Sequence, residues 1–371
     1  MLKQREILYN KQHDIMSVTL CHFFKGKLHM KNLLLATILT TGALAAQAQQ
    51  TTVYGVIDTS VQSYNNGTSQ YNRMADSQLG TSRLGFRGTE VLGNGLKANF
   101  QLEGQLNPSG GSMGSTTVAT NEIFNRDSYV GLSGAFGEFR LGRTDVARAG
   151  EVDVTILLPI VGNYGLMPIN GTGVELGTDQ KNVVTYLSPE INGVQVIVGH
   201  ATNASGATTD ANSDQNGITV VYTRGAFKGA VGYQRNDAAT EVGKKDATTI
   251  GASYNFGAVI VAVAHAQGDN SATATVTSKS TNYVVKVPLA NGYAVSGIYG
   301  KTVDGASSAN NNGESYTLLA TKSLSKRTTL YTAYTDVRNE SKSSMRTFNG
   351  TAPSAAGLDT RSLVFGINHS F

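Results

Sequence analysis

Period-two alternation of apolar and polar side chains is the feature that most limits how this chain can fold. It is clearest at residues 96–103, where Phe100 and Leu102 fall on one face and Gln101 and Glu103 on the other. A similar run precedes this one across a Gly-Asn-Gly turn, so the pair reads as a β-hairpin. A helix repeats every 3.6 residues instead, so this pattern predicts an all-β chain.

The alternating runs recur about sixteen times along the chain. Short turns rich in Gly and Asn alternate with long tracts rich in Ser, Thr, Asn and Gly, which is the layout of a barrel with short periplasmic turns and long extracellular loops. We therefore predict a 16-stranded antiparallel transmembrane β-barrel. The runs are 52–62, 82–90, 96–103, 125–132, 137–143, 182–187, 194–200, 218–223, 227–234, 248–256, 258–266, 281–287, 293–301, 316–322, 328–336 and 361–371.

Alternation by itself also fits a soluble protein made of two β-sandwiches. The apolar face of each strand points outward in a membrane barrel and inward in a sandwich, and the sequence pattern is the same in both. Two sandwiches need a linker near the middle of the chain, and the sequence contains no segment of that composition. The barrel is therefore the favoured interpretation.

The first 48 residues have the composition of an export signal. Met30 and Lys31 provide a basic start, residues 33–44 an apolar core, and Ala46-Gln-Ala48 a cleavage site. This core is too short to span a membrane as a helix. We expect residues 1–29 to be an upstream start-site extension, translation to begin at Met30, and cleavage to follow Ala48. Residues 49–371 would then form a single barrel domain.

The charge of the chain depends on this leader. Of 30 basic and 26 acidic residues, 24 of each remain after residues 1–48 are removed, so the formal +4 belongs to the leader. A balanced mature chain argues against nucleic-acid binding. The one cysteine, Cys21, also lies in the leader, which excludes disulfides and thiolate chemistry from the mature protein.

Residues 144–180 interrupt the strand pattern, and the sequence indicates neither a strand nor a helix there. The segment carries acidic residues around an apolar centre at 154–161. Long segments without regular structure in a compact domain are usually lids, binding loops or plugs. We expect this one to fold into the barrel and narrow its lumen.

Sequence signals for catalysis or metal binding are weak. Ser112 lies in a G-x-S-x-G string, but this string falls in a Ser/Gly-rich tract, whereas a serine hydrolase needs a strand-to-helix elbow. The mature histidines, His200, His265 and His369, do not show metal-ligand spacing. We expect neither enzymatic activity nor a cofactor. The chain ends on Phe371, and a terminal strand that ends in Phe resembles the signal recognised by the barrel-assembly machinery.

The mature chain also resembles a known family along most of its length: the general porins of the outer membrane, in the branch typical of beta-proteobacteria. The resemblance implies a homotrimer that passes small hydrophilic solutes and ions by diffusion. It also implies contact with outer-membrane lipids and lipopolysaccharide, and a third long loop that folds inward as a constriction. The motifs are VYGVIDTSV (53–61), SRLGFRGTE (82–90), LGNGLKANFQLE (92–103), FNRDSYVGLSGAFGEFRLGR (124–143), KNVVTYLSP (181–189) and FGINHSF (365–371).

The same resemblance implies a basic cluster that faces the inward loop, often with a preference for anions. Alternation supports a lumenal position for several arginines, since a charge on the lipid face costs about 2–4 kcal/mol at the membrane midplane. The alternative is that these arginines are solvated interior residues paired with Glu103, Glu138 or Asp58. The predicted constriction consists of Arg83, Arg87, Arg126, Arg140 and Lys181 on the wall and Glu151, Asp153 and Glu175 on the loop.

A barrel of this kind could serve one of four functions. A general diffusion pore is the leading one, with a substrate-specific porin as the alternative. The latter would hold a small organic acid or similar solute at a saturable site, and the apolar centre of the loop favours it. An outer-membrane enzyme would need a credible Ser/His or Asp/His pair, and a purely structural or adhesive barrel would not need the basic cluster.

Overall fold

The computed structural model describes residues 50–114, 122–144, 151–169, 180–202, 214–236, 245–269, 277–303, 311–347, 350 and 352–371. The predicted leader lies outside these residues. Eighteen strands form one sheet. They are β1 (Gln50–Asn65), β2 (Gln70–Asp76), β3 (Arg83–Gly93), β4 (Leu96–Asn107), β5 (Ser112–Met113), β6 (Ser128–Gly134), β7 (Gly137–Thr144), β8 (Gln180–Leu187), β9 (Val194–Ala201), β10 (Gln215–Arg224), β11 (Phe227–Asn236), β12 (Lys245–Asn255), β13 (Ile260–Asp269), β14 (Thr277–Pro288), β15 (Tyr293–Val303), β16 (Gly313–Ser323), β17 (Thr328–Asn339) and β18 (Thr360–Ser370).

The sheet closes on itself through antiparallel pairing of β1 with β18. Strands β2 and β3 are two halves of one barrel strand, since both pair with β1 along different parts of its length. The two-residue strand β5 only extends the end of β4. Counted in this way the barrel has sixteen strands, which confirms the predicted fold. The sequence pattern missed β2 and β5.

The polarity of the barrel is that of a membrane protein. Along β15, Ser296 and Ile298 are buried inside, whereas Tyr293 and Val295 on the other face are exposed. The outer face is apolar elsewhere as well, for example at Val53, which is 54% exposed. A sandwich would place its apolar face in the core, so the closed sheet rules out the alternative of two sandwiches.

The two ends of the barrel sheet meet at Phe371. Its backbone N–H donates to the carbonyl of Gly55 at 3.1 Å, and the Gly55 N–H donates to the Phe371 carbonyl at 3.2 Å. A Cβ atom at Gly55 would lie 2.4 Å from the phenyl ring of Phe371, so only glycine leaves room for this ring. The last residue of the chain therefore completes the barrel seam.

The inward segment contains short helices that the sequence pattern did not indicate. Helix α1 spans Glu151–Ile156, helix α2 spans Leu158–Val161, and a 3₁₀ segment follows at Gly162–Ile169. Such short helices are too brief to show a 3.6-residue period, and helices of this length form through tertiary packing rather than through propensity. None of the helices in the described part of the chain combines the length and the apolarity needed to cross a membrane.

Candidate functional site: a loop and a basic wall inside the barrel

The loop formed by residues 151–169 packs against one half of the barrel interior. We call this half the anchor wall and define it as the inner face of β11–β18. Four loop side chains are at most 1% exposed: Val152, Ile156, Leu157 and Val161. The anchor wall meets them with small or aliphatic side chains, including Ala230, Ala262, Ala264, Val284, Ile298 and Leu319. The apolar centre of the loop is thus largely its attachment to the barrel.

A glycine and two polar contacts hold the loop close to the anchor wall. A Cβ atom at Gly251 on β12 would lie 3.0 Å from Val152, so the missing side chain lets α1 approach the backbone of the wall. The Asn282 side-chain amide donates to the carbonyl of Gly165 at 3.1 Å. The Lys286 ammonium donates to the carbonyl of Ile160 at 2.8 Å. The loop is therefore bound to the wall through its backbone as well as through its side chains.

The tip of the loop crosses to the turn between β2 and β3. Asn163 donates its backbone N–H to the carbonyl of Leu79 at 2.9 Å and its side-chain amide to the carbonyl of Ser77 at 2.9 Å. Gly162 has a φ of 61° and a Cβ there would lie 2.1 Å from the Leu79 oxygen. Any other residue at this position would push the tip away from the turn.

A buried carboxylate holds that turn in place. Asp58 is fully buried, and its two oxygens accept five hydrogen bonds. Within the described residues it forms no ion pair, so the alternative in which Asp58 pairs with an arginine is wrong. A buried charge needs this full set of donors to offset its desolvation. The donors are the backbone N–H groups of Gln78, Leu79 and Gly80 and the side chains of Tyr331 and Asn368.

Arg83, which follows this turn at the start of β3, shares one carboxylate with Arg126. Arg126 Nε lies 2.5 Å from Glu103 Oε1, and Arg83 Nε lies 3.6 Å from Glu103 Oε2. The Tyr54 hydroxyl donates to Glu103 Oε2 at 2.8 Å. Arg126 was predicted in a strand but lies in the segment just before β6. The structure brings these two predicted arginines together, with the pairing to Glu103 that the alternative interpretation anticipated.

A second basic pair surrounds Glu122. The Lys181 ammonium contacts Glu122 Oε1, and Arg143 Nη1 lies 3.3 Å from Glu122 Oε2. Arg143 also donates from Nε to the carbonyl of Asn125 at 2.8 Å. Arg143 was not predicted at the site, because alternation assigns it to the face of Leu141. A bulge between Gly142 and Thr144 interrupts that alternation, and a glycine in such a run is the signal that could have indicated it.

Arg87 and Arg140 lie together, apart from these two groups. Arg87 is four residues beyond Arg83 toward the short turn at the end of β3, about 13 Å along an extended strand. Arg140 pairs with Glu138 at 3.0 Å. We call the four residues Arg83, Arg126, Arg143 and Lys181 the basic wall; Arg87 and Arg140 are not part of it.

Other predicted residues cannot be placed at the constriction. Glu151 and Asp153 belong to α1, but their side chains lie outside the described residues, as does Glu175 entirely. Ser112 sits in the β5 hairpin and accepts a hydrogen bond from the Asn107 amide at 3.2 Å. No group of three or more His, Cys, Asp or Glu side chains within the described ranges comes together as a metal site.

The closed barrel with an apolar outside and a loop across its interior defines a transmembrane pore. Comparison with known proteins agrees with this class. A family model described as Gram-negative porin matches residues 35–342. The chain is 34% identical over 241 residues to outer membrane porin protein 32 of Delftia acidovorans, which covers 62% of this chain and 67% of that protein.

Solved structures give the same result. The anion-selective porin from Comamonas acidovorans superposes with a TM-score of 0.74 and 26% sequence identity, covering 87% of this chain and 100% of that chain. OmpT of Vibrio cholerae, in a trimer form, superposes with a TM-score of 0.63 at 16% identity, covering 88% of this chain and 100% of that chain. The chain belongs to the Gram-negative porin family and is an outer-membrane porin, a channel for passive diffusion of small hydrophilic solutes.

Proposed function

We propose that this porin prefers anions and that the basic wall sets the preference without any catalytic step. The observation that carries the proposal is the unequal exposure of the charges around Glu103. The Glu103 side chain is 6% exposed, whereas the side chains of Arg83 and Arg126 are 34% and 28% exposed. Two partly exposed cations around one hidden anion present a positive surface to a passing ion.

The group around Glu122 adds to the same field. Arg143 and Lys181 are two cations on one carboxylate, so in each of the two groups of described residues the cations outnumber the carboxylate. Charges that line a narrow pore set ion selectivity through the local potential, independently of the net charge of the protein. The anion-selective porin from Comamonas acidovorans supports the proposal as a similar structure with that property in its title.

The alternative of a substrate-specific porin loses part of its first argument. Within the apolar centre of the loop, Ile156, Leu157 and Val161 are buried against the barrel and cannot contact a solute in the lumen. Leu158, Pro159 and Ile160 are not buried and line a cavity. Apolar contacts at a saturable site would therefore have to come from this exposed part of the loop.

Assembly and maturation complete the proposal. We propose a homotrimer in contact with outer-membrane lipids and lipopolysaccharide, a mature chain that begins at Gln49, and Phe371 as the signal for the barrel-assembly machinery. The family resemblance and the trimer form of the Vibrio cholerae protein support the trimer. Intact mass and sedimentation of protein purified from outer membranes test the cleavage site and the oligomer. A monomer, or a first residue other than Gln49, would contradict these assignments.

The selectivity proposal is tested by the zero-current potential of the refolded protein in a planar bilayer under a salt gradient. We expect the sign of anion preference for the native protein and a collapse of that potential in the variant Arg83→Ala with Arg126→Ala. Arg338→Ala removes one charge from an exposed arginine on the outer face and should leave the potential unchanged. Cation preference of the native protein would contradict the proposal.

A further inference from the structure

A polar niche of about 450 Å³ opens on the inner wall below the basic wall. It lies on β1, β3, β4, β6 and β7 near the short turns, which places it at the periplasmic end of the pore. Strand register brings its members side by side: Thr52 opposite Arg87, Arg87 opposite Gln101, and Gln101 opposite Tyr129. The niche is thus built into the barrel frame and does not depend on the loop.

Arg87 gives the niche a guanidinium without a carboxylate. Among the described residues no acidic group lies within 4 Å of it, although Arg83, Arg126 and Arg140 all have such partners. Instead, its guanidinium carbon lies 4.8 Å from the centre of the Tyr54 ring. A guanidinium stacked on an aromatic face is held in position while its in-plane N–H groups remain available for an oxyanion.

Arg140 adds a second incomplete donor set. One amino group of Arg140 bonds Glu138 at 3.0 Å, and its guanidinium carbon lies 4.6 Å from the centre of the Tyr129 ring. Its Nε is buried and has no hydrogen-bond partner among the described groups. Buried donors are normally satisfied, so an orphan N–H beside an open cavity indicates a missing acceptor.

Two glycines make room for this arrangement. A Cβ atom at Gly85 would lie 2.4 Å from the Tyr54 ring, which could then not lie beneath Arg87. A Cβ at Gly131 would lie 2.9 Å from the Phe139 carbonyl oxygen and 3.2 Å from Glu138 Oε1. The stacking of Arg87 on Tyr54 therefore requires glycine at position 85, and Glu138, the partner of Arg140, lies close against Gly131.

The charges around the niche favour a monovalent anion. Arg87 and Arg140 line it together with Glu138, and the carboxylate of Asp127 accepts a hydrogen bond from the lining residue Gln101 at 3.2 Å. A phosphate dianion would face both carboxylates. A carboxylate is also planar and matches the two parallel N–H groups of a guanidinium. We propose that the niche binds the carboxylate of a small organic acid in transit, an inference that rests on the anion preference proposed above.

Single-channel conductance as a function of acetate activity tests this site. A wall site predicts conductance that saturates with potassium acetate but remains proportional to activity with potassium chloride. Arg87→Gln removes the charge-assisted hydrogen bonds, so the half-saturating acetate activity should rise about tenfold or more. Arg87→Lys keeps the charge and loses the planar guanidinium, so its half-saturating acetate activity should lie between those of the native protein and Arg87→Gln. Circular dichroism and resistance to SDS confirm folded barrels.

Three results would contradict the proposed carboxylate site. The first is that acetate conductance of the native channel does not saturate. The second is that Arg87→Gln saturates at the same acetate activity as the native protein. Equal saturation with inorganic phosphate would overturn the carboxylate assignment. The exposed Arg338→Gln serves as the matched control and should behave like the native protein. The zero-current potential is read separately: if anion preference persists while saturation is absent, only the niche fails.

Discussion

The two halves of the barrel interior differ in the side chains that line them. The anchor wall is lined by Ala, Val, Ile and Leu side chains and is covered by the loop. The basic wall has arginines and a lysine around two carboxylates and faces the lumen. A lumen wall in contact with water needs no apolar side chains. The large apolar cluster on one half therefore marks where the loop attaches, and the charged groups on the other mark the path of the solute.

Because the loop is attached to the anchor wall, we expect this attachment to control the size of the pore. Leu157→Asp places a carboxylate at a fully buried position, and burying an unpaired charge costs several kcal/mol, so the loop should leave the wall. We expect conductance to rise severalfold, with entry of larger solutes in liposome-swelling assays. Leu324→Asp is the matched control, because Leu324 is 57% exposed in a short turn. Unchanged conductance in Leu157→Asp would show that the loop does not limit the pore.

Changes in the basic wall should alter ion selectivity, whereas changes in the anchor wall should alter pore size. Glu103→Gln removes the anion that Arg83 and Arg126 share, so the positive potential at the wall should increase. A unit charge a few ångströms away is worth about 1 kcal/mol in water, or about fivefold in the anion-to-cation permeability ratio. Zero-current potentials measure this ratio. Glu190→Gln, in an exposed short turn, is the control, and a ratio that falls in Glu103→Gln would refute the charge argument.

The loop tip, which is bound to the turn between β2 and β3, should show the smallest effect. Gly162 has a φ of 61° and a ψ of −152°, a backbone region used almost only by glycine, so Gly162→Ala costs about 1–3 kcal/mol of strain and adds a clash with the Leu79 carbonyl. We expect faster amide exchange at Asn163 and a modest increase in conductance. Gly225→Ala also places alanine at a positive φ, 59°, but a Cβ there meets nothing within 4 Å. Equal behaviour of the two variants would assign the effect to strain alone.

Most of the barrel could be predicted from sequence because strand pairing between neighbours depends on local pattern. The hairpin around the Gly-Asn-Gly turn, the apolar face of the last strand and the inward loop all follow from spacing and composition. Strand β2 was missed because its outer and inner residues are mostly polar: Gln70–Asp76 reads QYNRMAD. Such a strand near the rim of the barrel has no alternation to detect.

The arrangement of the site was less predictable because it depends on contacts between distant segments. Asp58 and Tyr331 are 273 residues apart, and Asn163 meets Ser77 across 86 residues. No periodicity encodes such pairs. Arg143 was missed for a different reason, a bulge that breaks the alternation on which its orientation was judged. The predicted positions of Arg83 and Arg126 were inferred from a family resemblance, and their roles in selectivity remain predictions.

The central claim is that the anchor wall sets pore size and the basic wall sets ion selectivity. It is tested most directly by measuring conductance and zero-current potential together on three proteins. These are the native chain, Leu157→Asp, and the double variant Arg83→Ala with Arg126→Ala. We predict that Leu157→Asp raises conductance with a smaller change in potential, whereas the double variant loses the anion potential with little change in conductance. If the potential collapses in Leu157→Asp as fully as in the double variant, selectivity resides in the loop rather than in the basic wall.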